Sequence, residues 1–201
     1  MGEAAPTVPP KAPRATTSLY KVALGGTIAA QGTPVSELWK TGALVVVVRR
    51  PGCALCREQA YALSEAFQAV VASQGLPGMP RLVAVVRTSA RGEDGSSEVD
   101  AFREYFQGDV YVDQFLAFFK ALGDRQYTDG VFSQGAARWM LQRMAGMQRV
   151  QVSGNFVGGP DTALKFGGCF VFDRDGAVRF AHQEGRSSID YEALRAALSK
   201  V

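Results

Sequence analysis

Two cysteines three residues apart, Cys53 and Cys56, are the side chains of this sequence best suited to chemistry, and that chemistry is thiol redox exchange. They lie in Val45-Val46-Val47-Val48-Arg49-Arg50-Pro51-Gly52-Cys53-Ala54-Leu55-Cys56-Arg57, after a β-branched apolar run and before an amphipathic stretch. This order predicts a buried strand, a sharp turn, and a helix that opens on the Cys-x-x-Cys pair. Cys53 then sits at a helix N-terminus, where unsatisfied N–H groups and the helix dipole favour thiolate over thiol. Cys56 lies on the same helical face, placed to resolve a mixed disulfide or a sulfenate on Cys53. Arg49, Arg50 and Arg57 can each add positive potential, and spacing does not say which of them points at the sulfur. Pro51 and Gly52 are expected to set the turn that presents Cys53.

Plainer readings compete. Both cysteines as inert packing residues would leave the strand–turn–helix context without a purpose. A zinc site built from Cys53, Cys56, Cys169 and His182 has suitable ligand types but lacks a second Cys-x-x-Cys or a paired His. Cys169 falls in an apolar strand pattern and reads as a small buried hydrophobe. His182 is the only histidine; it reads as a structural residue, with a proton donor to a leaving oxygen as the sharper alternative. Asp161, Lys165 and the Gly158-Gly159-Pro160 turn read as loop chemistry, since a glycine pair is too weak a signal for phosphate binding.

Bulk properties narrow the class. The 201 residues are 47% hydrophobic, and 22 basic against 19 acidic side chains leave a net charge of +3 with no basic block. Charge scattered in this way is a solvated surface, so no nucleic-acid partner is expected. Three cysteines are too few to staple a secreted fold, and a cycling pair fits a reducing compartment. No stretch reaches the roughly 20 apolar residues that span a bilayer, so no transmembrane segment is expected. The N-terminus lacks a secretory pattern. These features predict a cytoplasmic protein, or a mitochondrial or plastid one if the Pro-rich start is a transit peptide. Residues 1–18 are expected to be a disordered leader, and 19–201 a single domain.

The elements follow from periodicity. Tyr20 to Ile28 is a weak strand pair around Gly25-Gly26, and Ser36 is expected to cap a helical turn presenting Leu38 and Trp39. Leu44 to Val48 and Leu82 to Val86 are continuous apolar runs, hence strands buried on both faces. Ala60, Leu63, Phe67 and Val70 form one stripe of a helix that Gly75 and Pro77 end. Asp94-Gly95-Ser96-Ser97 leads into a helix bearing Val99, Phe102 and Phe106, followed by a short strand Val110 to Val112. Phe115 to Met147 is a helical, aromatic- and Met-rich segment that includes Trp139. Phe170 to Phe172 and Val178 to Ala181 flank an Asp-Gly turn and form a hairpin. A last helix starts at Asp190 and turns Leu194 and Leu198 inward. The order predicts an α/β, thioredoxin-like fold. Its mixed central sheet is flanked by helices, is parallel in its first half and antiparallel in its last two strands, and has an extra helical segment before the hairpin.

Three segments then resemble a known family. The string Arg49 to Glu58, the stretch Phe102 to Asp113, and Gly167-Gly168-Cys169-Phe170-Val171-Phe172 with Ala181-His182-Gln183-Glu184 after it resemble one group. It is the peroxiredoxin-like, AhpC/TSA-related family of prostamide/prostaglandin F synthases and their redox-regulatory relatives. The resemblance runs from about residue 20 onward. It implies reduction of peroxides, or of the endoperoxide of prostaglandin H2 and prostamide H2, by a Cys-x-x-Cys. By the same resemblance Cys53 attacks and Cys56 resolves, with Arg50, Pro51, Gly52 and Arg57 as supporting residues. The resemblance further implies that no cofactor is bound tightly and that NADPH is used indirectly, through thioredoxin reductase and the partner thioredoxin. The sequence departs from the family at Cys169, where relatives usually carry an aliphatic residue, and across 115–165, which matches loosely. Arg50 stands where peroxiredoxins proper carry Thr.

The residues thus point to a thiol-dependent oxidoreductase. The alternative is a non-enzymatic redox-sensing module whose cysteine pair switches a partner contact, with Phe115 to Met147 as its docking surface. Protein disulfide exchange ranks lower, because Gly167-Gly168 stands where thioredoxin places a cis-proline.

Overall fold

The computed structural model describes residues 11–74, 78–87, 97–123, 166–184 and 188–201. The apolar run forms β3 (Ala43–Val48), an interior strand of the sheet that, among the described residues, has seven strands ordered β2-β1-β5-β4-β3-β6-β7. The other strands are β1 (Ser18–Lys21), β2 (Thr33–Pro34), β4 (Arg81–Val86), β5 (Asp109–Val112), β6 (Gly168–Phe172) and β7 (Val178–Gln183). Strands β3, β4 and β5 are parallel, while β6 and β7 run antiparallel on one side. The thioredoxin-like arrangement expected from the sequence is present.

Every residue of β3 is buried because both sheet faces are covered. Leu44, Val46 and Val48 face a core shared with helix α1 (Ala54–Gln74), helix α2 (Glu98–Phe102) and helix α4 (Tyr191–Leu198). Ala43, Val45 and Val47 face a second core of Leu38, Trp39, Phe118, Phe119, Phe170 and Phe172, closed by helix α3 (Ala117–Ala121). The α1 stripe is as expected, with Ala60, Leu63, Phe67 and Val70 all buried. Asp190 caps α4 by accepting the Ala193 N–H, and Leu194 and Leu198 are fully buried.

Several expectations need correction. The strand near Tyr20 starts at Ser18 and pairs with β5 and β2; only a single Val22–Ile28 bridge joins the two arms around Gly25-Gly26. The sheet therefore carries two short antiparallel strands on its far edge as well. Ser36 does not cap a helix: Val35–Glu37 is one 3-10 turn after Pro34, without a side-chain cap. Phe106 lies beyond the end of the short α2, although it is buried beside Phe102.

The leader is docked from residue 11 onward. Lys11 N–H donates to the Ala121 carbonyl, and the Val35 and Ser36 N–H groups donate to the Thr17 and Ala15 carbonyls. These backbone bonds leave no side-chain pattern, which is why composition alone reads the stretch as unstructured. Residues 1–10 lie outside the described residues, as do Gly75, Pro77, Asp94 to Ser96, and the helical expectation from 124 to Met147 with Trp139.

Candidate active site

The parallel strands β3 and β4 end at the same edge of the sheet, and the cysteine turn leaves from the end of β3. Cys53 N–H donates to the Arg50 carbonyl at 3.1 Å, closing the turn through Pro51-Gly52. The Cys53 carbonyl accepts the Arg57 N–H at 3.0 Å, the first helical bond of α1. Cys53 is therefore the residue at the helix cap, as its spacing predicts. Both thiols are reduced and buried, Cys53 7% and Cys56 5% exposed.

Arg49 is the arginine that reaches the sulfur: its Nη2 donates to Cys53 Sγ at 2.9 Å. Arg50 turns away, with Nη2 2.6 Å from Glu98 Oε1 and Nε 3.3 Å from Oε2. Arg57, 1% exposed, donates from Nε to the Pro51 carbonyl at 2.8 Å and lies over the Tyr105 ring at 5.5 Å. Of the supporting residues named from the sequence, Arg50, Pro51, Gly52 and Arg57 thus build the turn, while Arg49 touches the thiol.

The electrostatics separate the two cysteines. The Cys53 thiol is held down to about 5, first by the hydrogen bond from the Cys56 thiol, and further by the Arg49 charge and the Cys56 backbone N–H; burial works the other way. Cys56 is raised well above an ordinary thiol, first because it donates to Cys53 and then because it is buried. Burial would lower the Arg49 pKa, yet the cysteine pair and Glu184 raise it above the usual arginine value. One thiolate nucleophile beside one protonated thiol is the division of labour that attack followed by resolution requires.

Sequence reasoning missed two acidic residues here. Glu98 pins Arg50 and packs on Gly52, where an added Cβ would lie 2.9 Å from the carboxylate carbon. Gly52→Ala is therefore expected to force the Arg50–Glu98 pair apart and destabilise the fold by about 1–3 kcal/mol, measured by denaturant unfolding. Nothing in the local sequence marks Glu98. Glu184 is 5% exposed and accepts the Gly167 N–H at 3.1 Å, and its charge acts on Arg49 and Cys56. Its alternation with Phe180 and His182 along β7 was the available signal.

Cys169 and His182 face each other across β6 and β7. Cys169 is fully buried, and burial pushes its thiol up to about 12. In the folded protein it is expected to resist iodoacetamide at pH 7, while Cys169→Ala leaves the labelling rate of Cys53 within about twofold; mass mapping of the alkylated peptides checks both. Among the described residues, no cluster of three or more His, Cys, Asp or Glu could hold a metal ion. No helix there is long and apolar enough to cross a membrane. Gly158, Gly159, Pro160, Asp161 and Lys165 lie outside the described residues.

Comparison with known proteins now bears on this geometry. The profile described as AhpC/TSA antioxidant enzyme matches residues 80–186. Peroxiredoxin-like 2A of Danio rerio is 31% identical over 168 residues, 82% of this chain and 71% of that protein. The chain belongs to the peroxiredoxin-like AhpC/TSA family. Peroxiredoxin-like 2A of Gallus gallus is 38% identical over 101 residues, 50% of this chain but only 41% of the chicken protein. The match with the chicken relative thus spans less than half of that protein's length. The profile match of this AhpC/TSA-family chain begins after Cys53 and Cys56, so the case for the pair rests on the geometry above.

Solved structures agree on the fold of this peroxiredoxin-like chain. The Xanthomonas campestris bacterioferritin comigratory protein, described for alkyl peroxide reduction, superposes with a TM-score of 0.55 at 15% identity, covering 94% of this chain and 96% of that one. Copper-bound ScoI of Arabidopsis thaliana superposes at 0.51 with 9% identity, over 93% and 97% of the two chains. Such distant likenesses establish architecture alone, and the same architecture carries different chemistry in these two neighbours.

Proposed function

We propose that this chain is a thiol-dependent oxidoreductase that reduces peroxides, or the endoperoxide of prostaglandin H2 and prostamide H2, with Cys53 as nucleophile and Cys56 as resolving thiol. The observation that carries the reading is the contact between Arg49 and Cys53 Sγ at 2.9 Å, beside a Cys56 that stays protonated. The Cys53 thiolate attacks an O–O oxygen, forming an S–O bond as the O–O bond breaks; the leaving oxygen departs as hydroxide or alkoxide and takes up a proton. Cys56 then attacks the Cys53 sulfur, forming the disulfide and expelling the sulfur-bound oxygen, which takes the Cys56 proton. Two electrons from NADPH, passed through thioredoxin reductase and thioredoxin, restore both thiols. Family membership supports the oxidoreductase class; the endoperoxide, the thioredoxin partner and a cytoplasmic setting are part of this proposal.

Near-complete burial of both cysteines favours a second reading, a redox-regulatory module that oxidises once and exchanges slowly. NADPH oxidation with thioredoxin and its reductase distinguishes the two, with hydrogen peroxide, a lipid hydroperoxide and prostaglandin H2 offered in turn. Sustained turnover on any of the three supports the enzyme and names its substrate class. Disulfide formation without turnover on all three overturns the enzyme and supports the switch.

A further inference from the structure

Glu184 is a buried acid that the proposed cycle does not use, and its position follows from the sheet register. Val46 pairs with Cys169, and Cys169 pairs with His182, so these three side chains share one face. The ladder continues one residue further, with Glu184 N–H donating to the Gly167 carbonyl at 3.0 Å. Glu184, two residues beyond His182, therefore joins the face that also carries Phe180, Cys169, Val46 and Val48. Val46, Val48 and Cys169 of that face belong to one continuous core with Cys53 and Cys56, and Phe180 packs against it.

Gly167 makes the position tenable. An added Cβ there would collide with the Val47 carbonyl oxygen and lie 3.2 Å from Glu184 Oε2. With no side chain at 167, the carboxylate folds over the Gly167 N–H and stays 5% exposed. The strand end that supplies this seat, Val47-Val48, leads directly into Arg49. A fixed anion and a fixed cation thus stand on the same side of the sheet as the cysteine pair.

We propose that Glu184 is a positioning residue that sets the redox poise of the Cys53–Cys56 pair, as a buried negative charge that opposes Arg49 and favours the disulfide over the dithiol. Glu184 acts through its charge, and this role rests on the reading of Cys53 and Cys56 as a redox pair. Reduction of the disulfide by a small dithiol breaks the S–S bond, takes two electrons and, at neutral pH, one proton, and leaves a thiolate on Cys53 with a thiol on Cys56. Arg49 attracts that new negative charge and stabilises the reduced pair. Glu184 repels it and stabilises the neutral disulfide. Its charge also acts on Cys56 and Arg49, in keeping with this placement.

The test equilibrates the whole chain with mixtures of reduced and oxidised dithiothreitol at pH 7, with acid quenching and maleimide labelling to count free thiols. Wild type is measured first: if no Cys53–Cys56 disulfide forms, the redox-pair reading fails and this inference falls with it. If it forms, Glu184→Gln is expected to shift the equilibrium about tenfold toward the dithiol, equivalent to about 30 mV more positive. The amide oxygen of Gln can still accept the Gly167 N–H, so the variant keeps the local fold and loses only the charge. Glu184→Asp, which retains the charge, is expected to stay nearer wild type than Gln. A constant within twofold of wild type in Glu184→Gln, or a shift toward the disulfide, overturns the inference while leaving the redox pair intact.

Discussion

Cys53→Ser is expected to abolish peroxide-dependent NADPH oxidation, by roughly a thousandfold or more, because a serine hydroxyl offers no thiolate near neutral pH. Cys56→Ser should behave differently. It should lose multiple turnover but still consume one equivalent of peroxide, leaving Cys53 as a sulfenate that dimedone traps. The first oxidation survives in Cys56→Ser because the hydrogen bond at the centre of the site survives. The largest influence holding Cys53 down is donation from the Cys56 side chain, and a serine at 56 can still donate. Cys56→Ala removes the donor, so it should also raise the Cys53 pKa and slow the first oxidation. If Cys56→Ser turned over at the wild-type rate with thioredoxin, Cys56 would not be the resolving thiol.

The second large effect concerns pH. Iodoacetamide labelling of Cys53 should follow a titration centred at about 5 in wild type, with the rate already near its plateau at pH 6. Arg49→Met removes the guanidinium at 2.9 Å and with it both a charge and a hydrogen bond to the sulfur. The midpoint must rise, because the thiolate then keeps the Cys56 hydrogen bonds but loses its nearest cation. An upward shift of one to two units would cut labelling at pH 6 by about two- to tenfold. The same variant should recover the wild-type rate at alkaline pH, where both chains are ionised, which separates a lost charge from a lost fold. An unchanged midpoint would remove Arg49 from the site. Arg50→Met should give the opposite signature. Its guanidinium is engaged with Glu98, so the loss appears as stability, about 3 kcal/mol for a carboxylate left buried without its ion pair, with a smaller change in the Cys53 midpoint.

How much of this was legible beforehand depends on whether the signal was local. The run Leu44 to Val48 reads as a strand covered on both sides, since continuous apolar residues leave no solvent face, and the strand found there is buried throughout. The α1 stripe and the Asp190 cap are likewise short-range patterns that a single helix satisfies on its own. The short strands β1 and β2 are not legible in the sequence, because four and two residues carry too little periodicity; the pairing of β1 with β2 and with β5 is a tertiary event.

The site divides along the same line. That Cys53 would sit at a helix cap with Cys56 one turn behind it followed from the sequence, because a three-residue spacing and a helix start fix both positions within one turn. Which arginine serves the thiolate did not follow. Arg49 and Arg50 are neighbours with the same charge, and only the arrival of Glu98, 48 residues further along the chain, draws Arg50 away. Glu184 is farther still in sequence and reaches the cysteine face through the register of β6 and β7 beside β3. Sequence determined the position of the cysteine pair and the strand–helix frame, since these are set by contacts within a few residues. The tertiary structure alone decided the charges around them, because Coulomb interactions depend on distance in space and not on separation along the chain.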